Sequence, residues 1–124
     1  MARLSTTYAS TGLDAILVTA TGYNLALFTT DPGTTGTATE FSTGGYARAG
    51  ITFAAASAGS KASNSAQTFS NIQQGSFNAP VYFGIFTTGG AYIAGGQCNG
   101  GANIAISPGS TISVASGAIT FTLT

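Results

Sequence analysis

The chain has 124 residues, enough for one compact domain, and carries only three basic and three acidic side chains and no histidine. Charged residues make up 5% of the sequence, against roughly a quarter in ordinary soluble domains. We expect no nucleic acid partner, because phosphate binding depends on clustered lysine and arginine. We also expect no membrane partner, since the longest apolar stretches, at 13–20 and 81–86, are shorter than the ~20 residues that span a bilayer.

Small polar and small apolar residues take the place of the missing charges. Threonine, serine, glycine, alanine and asparagine give a neutral surface that forms hydrogen bonds and repels other copies only weakly. A free monomer with a net charge near zero tends to self-associate. The composition therefore favours a protein that works packed inside an assembly of many copies.

The first predicted element is a helix over residues 12–19. Ser10 and Thr11 belong to the residue types that cap helices, and Gly22 can end the segment. The run at 15–19 is also rich enough in β-branched residues to form a strand, which stays the alternative.

Strands and turns follow the helix. A strand is predicted at 23–29, and the turn Asp31-Pro32-Gly33 ends it with a side-chain acceptor, a fixed φ and a residue free to adopt positive φ. A Thr- and Gly-rich loop leads to a strand at 46–53. Residues 54–61 are small and interrupted by glycine, which indicates a connection, and a more polar strand is predicted at 63–69.

The strongest strand pair is a hairpin in which 81–86 and 92–95 are joined by Thr87-Thr88-Gly89-Gly90. The apolar character of the first strand predicts a central position in a sheet, and Gly84 indicates a close backbone approach or a bulge. The remaining predictions are strands at 103–107, 111–114 and 118–123, loops at 71–78 and 97–102, and turns at Pro108-Gly109 and Gly117.

These elements predict a mainly β protein, an antiparallel β-sandwich or jelly roll with one short N-terminal helix. A chain of 124 residues leaves little room for a second domain, so we expect a single domain over residues 1–124. The sequence contains no internal repeat. Residues 1–10 hold few apolar anchors and are predicted to form an N-terminal arm that orders on a partner.

Few side chains are suited to catalysis or metal binding. Asp14, Asp31 and Glu40 are the only carboxylates; Asp31 is interpreted as a turn residue and Asp14 as favoured by the helix dipole near a helix start. Glu40 has no partner in its local sequence. Zinc normally requires clustered cysteine and histidine, and the single cysteine, Cys98, is interpreted as a small buried or loop residue. We predict no enzyme, no metal site and no cofactor.

A few side chains are candidates for contacts with another subunit or with a capsid. They are Arg3, Glu40, Tyr46, Arg48, Tyr82 and Tyr92. Arg48 lies inside a predicted strand and is either solvated or paired, with Glu40 or with a carboxylate of a neighbouring subunit. The three tyrosines are interpreted as strand residues with an apolar body and a polar tip, and carbohydrate stacking is the alternative.

The chain resembles a family of small tailed-phage virion proteins that are often labelled phage tail fibre proteins. The resemblance covers about residues 13–124 and is carried by the segments ALFTTDPGTTG, GGYARAGITF, NSAQTF, VYFGIFTTGGAYIAGG and SPGSTISVASGAITFTLT. Two positions depart from the family pattern: Tyr82 stands where we expect histidine, and Gly109-Ser110 replaces Gly-Asp. Both changes remove ionisable groups and make a catalytic role less favourable.

The resemblance implies a virion structural protein that is made in the host cytoplasm and located in the phage particle. Our first hypothesis is a capsid decoration or cement protein that binds the major capsid protein shell, or another virion protein, and stabilises it by mass action. The alternative is a tail-fibre or tail-tip component that contacts the host through loops such as 71–78 and 97–103. A carbohydrate-binding or hydrolytic domain is a remote third hypothesis. By analogy with decoration proteins and fibres we expect a homotrimer.

Overall fold

The computed structural model describes residues 2–41, 46–72 and 77–123. These residues form one α-helix, ten strands and a short 3₁₀ turn at Asn99–Gly101. The helix is α1 (Thr6–Ile16), and the strands are β1 (Tyr23–Phe28), β2 (Ala49–Ile51), β3 (Ser60–Ala62), β4 (Gln67–Ile72), β5 (Phe77–Pro80), β6 (Tyr82–Phe86), β7 (Tyr92–Gln97), β8 (Asn103–Ile106), β9 (Ser110–Val114) and β10 (Thr120–Thr122).

The strands form one four-stranded sheet in the order β2-β1-β6-β7 and three two-stranded sheets, β3 with β10, β4 with β9 and β5 with β8. The pairings β1–β6, β6–β7, β5–β8 and β3–β10 are antiparallel. The predicted mainly β, antiparallel fold with one short N-terminal helix is therefore confirmed.

The chain divides into two compact units, each assembled from separate stretches of sequence. The first unit contains the residues up to Gly22, Ile51–Gln67 and the residues from Val114 onward, and the second contains Tyr23–Gly50 and Thr68–Ser113. The prediction of a single domain over residues 1–124 stays a prediction.

In the first unit, α1 packs on β3 and β10. Ala9, Leu13 and Leu17 are buried, and Phe53 and Phe121 lie 6.0 Å apart between ring centroids. A close turn precedes β3, because Ala58 and Gly59 both adopt positive φ and Ser57 and Ser60 exchange backbone hydrogen bonds.

The second unit is built on the four-stranded sheet. β1 is one of the two central strands of this sheet, and it is buried from Leu25 through Phe28, as expected of a strand with neighbours on both sides. The predicted hairpin is confirmed: the Thr87 N–H donates to the Ala91 carbonyl, and β6 and β7 pair with a register shift between Ile85 and Phe86. Gly84 is also explained, because a Cβ there would lie 2.7 Å from Cε2 of Phe28.

The helix begins earlier than the sequence predicts. Ser5 is the N-cap, and its Oγ accepts a hydrogen bond from the Tyr8 N–H at 3.3 Å. The predicted caps lie inside the helix and bond elsewhere: Ser10 Oγ accepts from the Gly59 N–H, and the Thr11 hydroxyl donates to the Thr7 carbonyl. The helix prediction at 12–19 is corrected to Thr6–Ile16, and the predicted arm at 1–10 overlaps this helix from Thr6 onward.

Several predicted strands also differ from the structure, because pairing with distant segments determines where these strands begin and end. The segment at 46–53 forms only the short β2. The strand predicted at 63–69 is displaced toward the C-terminus, since β4 begins at Gln67 and ends at Ile72. The predicted connection at 54–61 contains most of β3, whose partner β10 comes near the end of the chain. Part of the predicted loop at 71–78 forms ends of β4 and β5, and its residues 73–76 lie outside the described residues.

Candidate functional site

Glu40, Tyr46 and Arg48 form one hydrogen-bonded cluster in the second unit, which we call the Glu40 cluster. Arg48 donates from Nη2 to Oε1 of Glu40 at 2.8 Å and from Nε to Oε2 at 3.0 Å, a two-pronged ion pair. The Tyr46 hydroxyl donates to the same Oε2 at 2.7 Å and accepts from the Leu27 N–H at 3.0 Å. Of the two interpretations of Arg48, solvated or paired, the structure shows the pair with Glu40 within one chain. A contact of these side chains with another subunit or with a capsid stays a prediction.

Local structure places the three side chains together. Glu40 forms an isolated antiparallel bridge with Phe28 at the end of β1, and Arg48 directly precedes β2, the neighbour of β1. Tyr46 packs with its ring nearly parallel to that of Phe69 at 5.8 Å and edge-on to Phe41. The Glu40 cluster is therefore anchored by aromatic packing on the tyrosine.

The electrostatics of this cluster follow from partial burial and direct contacts. Burial raises the pKa of Glu40, but hydrogen bonds from Arg48 and Tyr46 outweigh it, and the net pKa lies below the usual value. Burial, together with the bond to the Glu40 carboxylate, raises the pKa of Tyr46. The bond to Glu40 raises the pKa of Arg48. The cluster thus holds a carboxylate, a neutral phenol and a guanidinium.

An aromatic row continues from this cluster. The guanidinium carbon of Arg48 lies 4.0 Å from the centroid of the Phe86 ring, a cation–π contact. Phe86 meets Tyr92 edge-on at 5.3 Å, and the Tyr92 hydroxyl donates to the Gly33 carbonyl at 2.9 Å. Tyr92 therefore fastens the Thr/Gly-rich loop after β1 to the sheet.

Close packing of that loop on Tyr92 requires a glycine. A Cβ on Gly36 would lie 2.5 Å from Cγ of Tyr92, and Gly36 adopts a φ of 72°. Tyr82 packs with Tyr92 and Ala38 against the buried Ala26, Phe28 and Phe86. Tyr82 and Tyr92 are strand residues as interpreted, whereas Tyr46 lies before β2 and outside any strand. The predicted role of the three tyrosines in subunit contacts stays a prediction.

The other predicted contacts are exposed. Arg3 precedes α1, and none of the described residues forms an ion pair with it. In the predicted recognition loop at 97–103, Asn99 and Gly100 are exposed in the 3₁₀ turn. Residues 73–76, half of the other predicted loop at 71–78, lie outside the described part of the chain.

Sequence reasoning missed an ion pair between Asp14 and Lys61 in the first unit. The Lys61 side chain is 0% exposed; its Nζ lies 2.6 Å from Oδ1 of Asp14 and 3.0 Å from Oγ1 of Thr19. The same Oδ1 accepts from the Ala56 N–H at 2.9 Å. The hydrogen bond from Lys61, then that from Ala56, lowers the pKa of Asp14.

The helix-dipole interpretation of Asp14 was wrong. Asp14 lies in the last turn of α1, where the dipole disfavours a carboxylate, and its partners come from the segment around β3. Pairing at a separation of 47 residues leaves no local pattern. The sole signal is that Lys61 is the single lysine of the sequence, set among alanine, serine and glycine.

Asp31 and Cys98 have the local roles the sequence indicates. The Gly33 N–H donates to Oδ1 of Asp31 at 2.8 Å, so the turn prediction is confirmed. Cys98 is a free thiol of intermediate exposure, and burial raises its pKa to about 11. A thiol with such a pKa is a poor nucleophile near neutral pH.

The arrangement is suited to holding the fold together. Each carboxylate accepts hydrogen bonds from its own unit: Asp14 from Lys61, Asp31 from Gly33 and Glu40 from Arg48. Among the residues that the structure describes, no three His, Cys, Asp or Glu side chains come together as metal ligands. No helix in the described ranges is long and apolar enough to cross a membrane.

Comparison with known proteins gives the family. A family model described as Podophage GP4 fiber I protein gp80 matches residues 4–122. No curated protein and no solved structure matches the chain. The match confirms the resemblance to small tailed-phage virion proteins, and fibre proteins are structural parts of a phage particle. The chain is therefore a bacteriophage virion structural protein, and it belongs to the family of the podophage GP4 fiber I protein gp80.

Proposed function

We propose that this chain is a fibre subunit that acts by packing against other virion proteins. The family description supports a fibre directly. The structural observation that carries the proposal is the neutral surface: two internal ion pairs, Glu40–Arg48 and Asp14–Lys61, use four of the six charged side chains. Such a surface suits contacts made by hydrogen bonds and apolar packing, with little repulsion between copies.

The exposed apolar side chains mark where a virion contact would lie. Among the residues that the structure describes, the exposed large hydrophobic side chains lie in one short stretch of sequence in and around α1. They are Leu4, Tyr8, Ile16 and Val18, at 50%, 73%, 54% and 48% exposure. Exposed apolar residues that are grouped, rather than scattered, mark interaction sites. We assign this α1 surface to the contact with a neighbouring virion protein, with the adjacent residues 2–5 as a short arm.

The second candidate is capsid decoration, in which the partner is the major capsid protein and the chain stabilises the assembled shell by mass action. Small size and the neutral surface favour it, because a decoration protein is packed at high density around many neighbours. Both candidates keep the expected homotrimer, in which cyclic symmetry would place like faces together.

Copy number and position separate the two candidates. Quantitative gel analysis of purified particles, together with immunogold electron microscopy against this chain, gives both. A fibre predicts few copies and label on fibres at a fixed site. Label spread over the shell with hundreds of copies would overturn the fibre proposal and support decoration.

The trimer has its own test. Multi-angle light scattering of the purified chain at micromolar concentration should give the mass of three chains. A stable monomer at that concentration would contradict the trimer without affecting the assignment to a fibre.

A further inference from the structure

Asn99 and Gly100 form the single Asn-Gly dipeptide of the sequence. They lie in the 3₁₀ turn that connects β7 to β8, and both residues are exposed. Asn99 has a φ of 52° and Gly100 a φ of 63°, so the chain at this point uses the left-handed region. This places an asparagine amide and an unhindered backbone nitrogen side by side in water.

The chemistry of such a pair is intramolecular and needs only water. The backbone nitrogen of Gly100 attacks the side-chain carbonyl carbon of Asn99, so that an N–Cγ bond forms and the Cγ–Nδ2 bond breaks. The proton of the Gly100 N–H leaves with the amide nitrogen as ammonia. Water then opens the resulting five-membered succinimide at either carbonyl, which yields aspartate or isoaspartate.

The structure leaves the nucleophile free. The hydrogen bonds of the turn run from the Gly101 N–H to the Cys98 carbonyl at 3.0 Å and from the Ala102 N–H to the Asn99 carbonyl at 3.1 Å. Neither uses the Gly100 N–H, and none of the described residues bonds the Asn99 side chain. A Cβ at Gly100 would meet nothing within 4 Å, so no neighbouring side chain blocks the approach.

The other asparagines with described side chains lie in surroundings that hinder ring closure. Asn64 accepts a hydrogen bond from the Thr52 hydroxyl at 2.5 Å, which fixes its amide. Asn24, Asn78 and Asn103 lie in strands and are followed by residues with side chains, and Asn103 also donates to the Asn78 carbonyl. Strand geometry and a following Cβ both hinder ring closure.

We propose that Asn99 is a site of spontaneous deamidation that adds one negative charge to each modified copy. The formal net charge of the chain is zero, and two pairs neutralise most of its charged side chains. An added carboxylate at an exposed turn is therefore a large relative change. In an assembly, the same charge repeats on every modified copy, and isoaspartate also lengthens the backbone between β7 and β8.

Peptide mapping of the purified full-length chain tests the site. The protein is aged in mildly alkaline buffer made with heavy-oxygen water, then denatured and cut with trypsin; the segment that begins at Ala62 contains Asn99 together with Asn64, Asn71, Asn78 and Asn103. We expect heavy oxygen to enter at residue 99 several-fold faster than at the other asparagines of this segment, with isoaspartate among the products. Equal rates at all of these positions, or no label at residue 99, would overturn the proposal.

Matched variants provide the control. Asn99→Gln lengthens the side chain and disfavours the five-membered ring, so the acidic band that grows during ageing in isoelectric focusing should fall several-fold. Asn103→Gln, four residues away in β8, should age like the unmodified chain. An acidic band that grows equally in Asn99→Gln would place the modification elsewhere and refute the assignment.

Discussion

The ammonium of Lys61 lies 2.6 Å from Oδ1 of Asp14, and the lysine side chain is fully buried whereas the aspartate side chain is 40% exposed. The pair joins the last turn of α1 to β3, and its two residues are 47 positions apart in the sequence. A buried charge without its partner is strongly unfavourable. The buried Lys61 ammonium therefore favours the position of α1 in which Asp14 lies beside it.

Removing the partner carboxylate should therefore destabilise the fold more than removing the buried charge itself. Asp14→Asn leaves the Lys61 ammonium buried without a counter-ion and should clearly lower the melting temperature. Lys61→Met keeps most of the side-chain volume and removes the charge, and should stay within about 1.5 kcal/mol of the unmodified chain. Thermal melts followed by circular dichroism measure both. A larger loss for Lys61→Met than for Asp14→Asn would contradict the role of the buried charge.

Acid should weaken the fold through both ion pairs. The pKa values of Asp14 and Glu40 are lowered in the folded chain, so the unfolded chain takes up protons at a higher pH than the folded chain does. Their stabilisation is fully present above the ordinary carboxyl pKa values and is lost as the pH falls, between roughly pH 5 and pH 2. Urea unfolding at a series of pH values measures the loss.

A matched variant identifies the groups responsible. The double variant Asp14→Asn, Glu40→Gln should be less stable at neutral pH but lose less stability on acidification than the unmodified chain. An unchanged dependence on pH would assign the acid sensitivity to other groups.

Tyr46 should resist ionisation in alkali. Its pKa is raised by burial and by the bond to the Glu40 carboxylate, so it should stay protonated where an ordinary phenol ionises. In ultraviolet titration of the folded chain, Tyr46→Phe should therefore leave the absorbance change around the ordinary phenol pKa unchanged in size. Loss of its hydroxyl should lower the free energy of unfolding by about 1–3 kcal/mol, because the Leu27 N–H loses its acceptor. A smaller absorbance change in Tyr46→Phe would show that Tyr46 ionises normally.

Gly84 should not tolerate a side chain. An added Cβ would lie 2.7 Å from Cε2 of Phe28 and 3.0 Å from Cε2 of Phe86, inside a packed aromatic cluster. Gly84→Ala should therefore lower the free energy of unfolding by about 1–3 kcal/mol. Gly50→Ala is the control, since Gly50 also lies in a strand, has open space around it and should change stability by no more than about 0.5 kcal/mol. Equal effects in denaturant unfolding would contradict the packing argument.

Local patterns predicted the parts of this fold that local contacts decide. The β6–β7 hairpin and the Asp31 turn follow from neighbouring residues, and the Glu40–Arg48 pair joins residues only eight apart. The glycine at position 84 indicated a close approach, but the ring that it meets, that of Phe28, belongs to the distant strand β1. By contrast, β8 and β9 pair with β5 and β4 rather than with each other. That choice, like the pairing of Lys61 with Asp14, depends on distant segments whose short polar sequences carry no periodic signal.

The exposed α1 surface gives the most direct test of the assembly role. Tyr8→Gln with Ile16→Gln replaces two exposed apolar side chains by a good helix former, so the melting temperature should stay close to that of the unmodified chain. Incorporation into particles assembled without the native chain should fall several-fold, since apolar contact area is lost. Ala15→Gln, also exposed on α1 but small, is the control and should be incorporated normally. Folding and incorporation of the double variant are measured separately. If the double variant folds and enters particles as well as the native chain does, the contact lies on another surface.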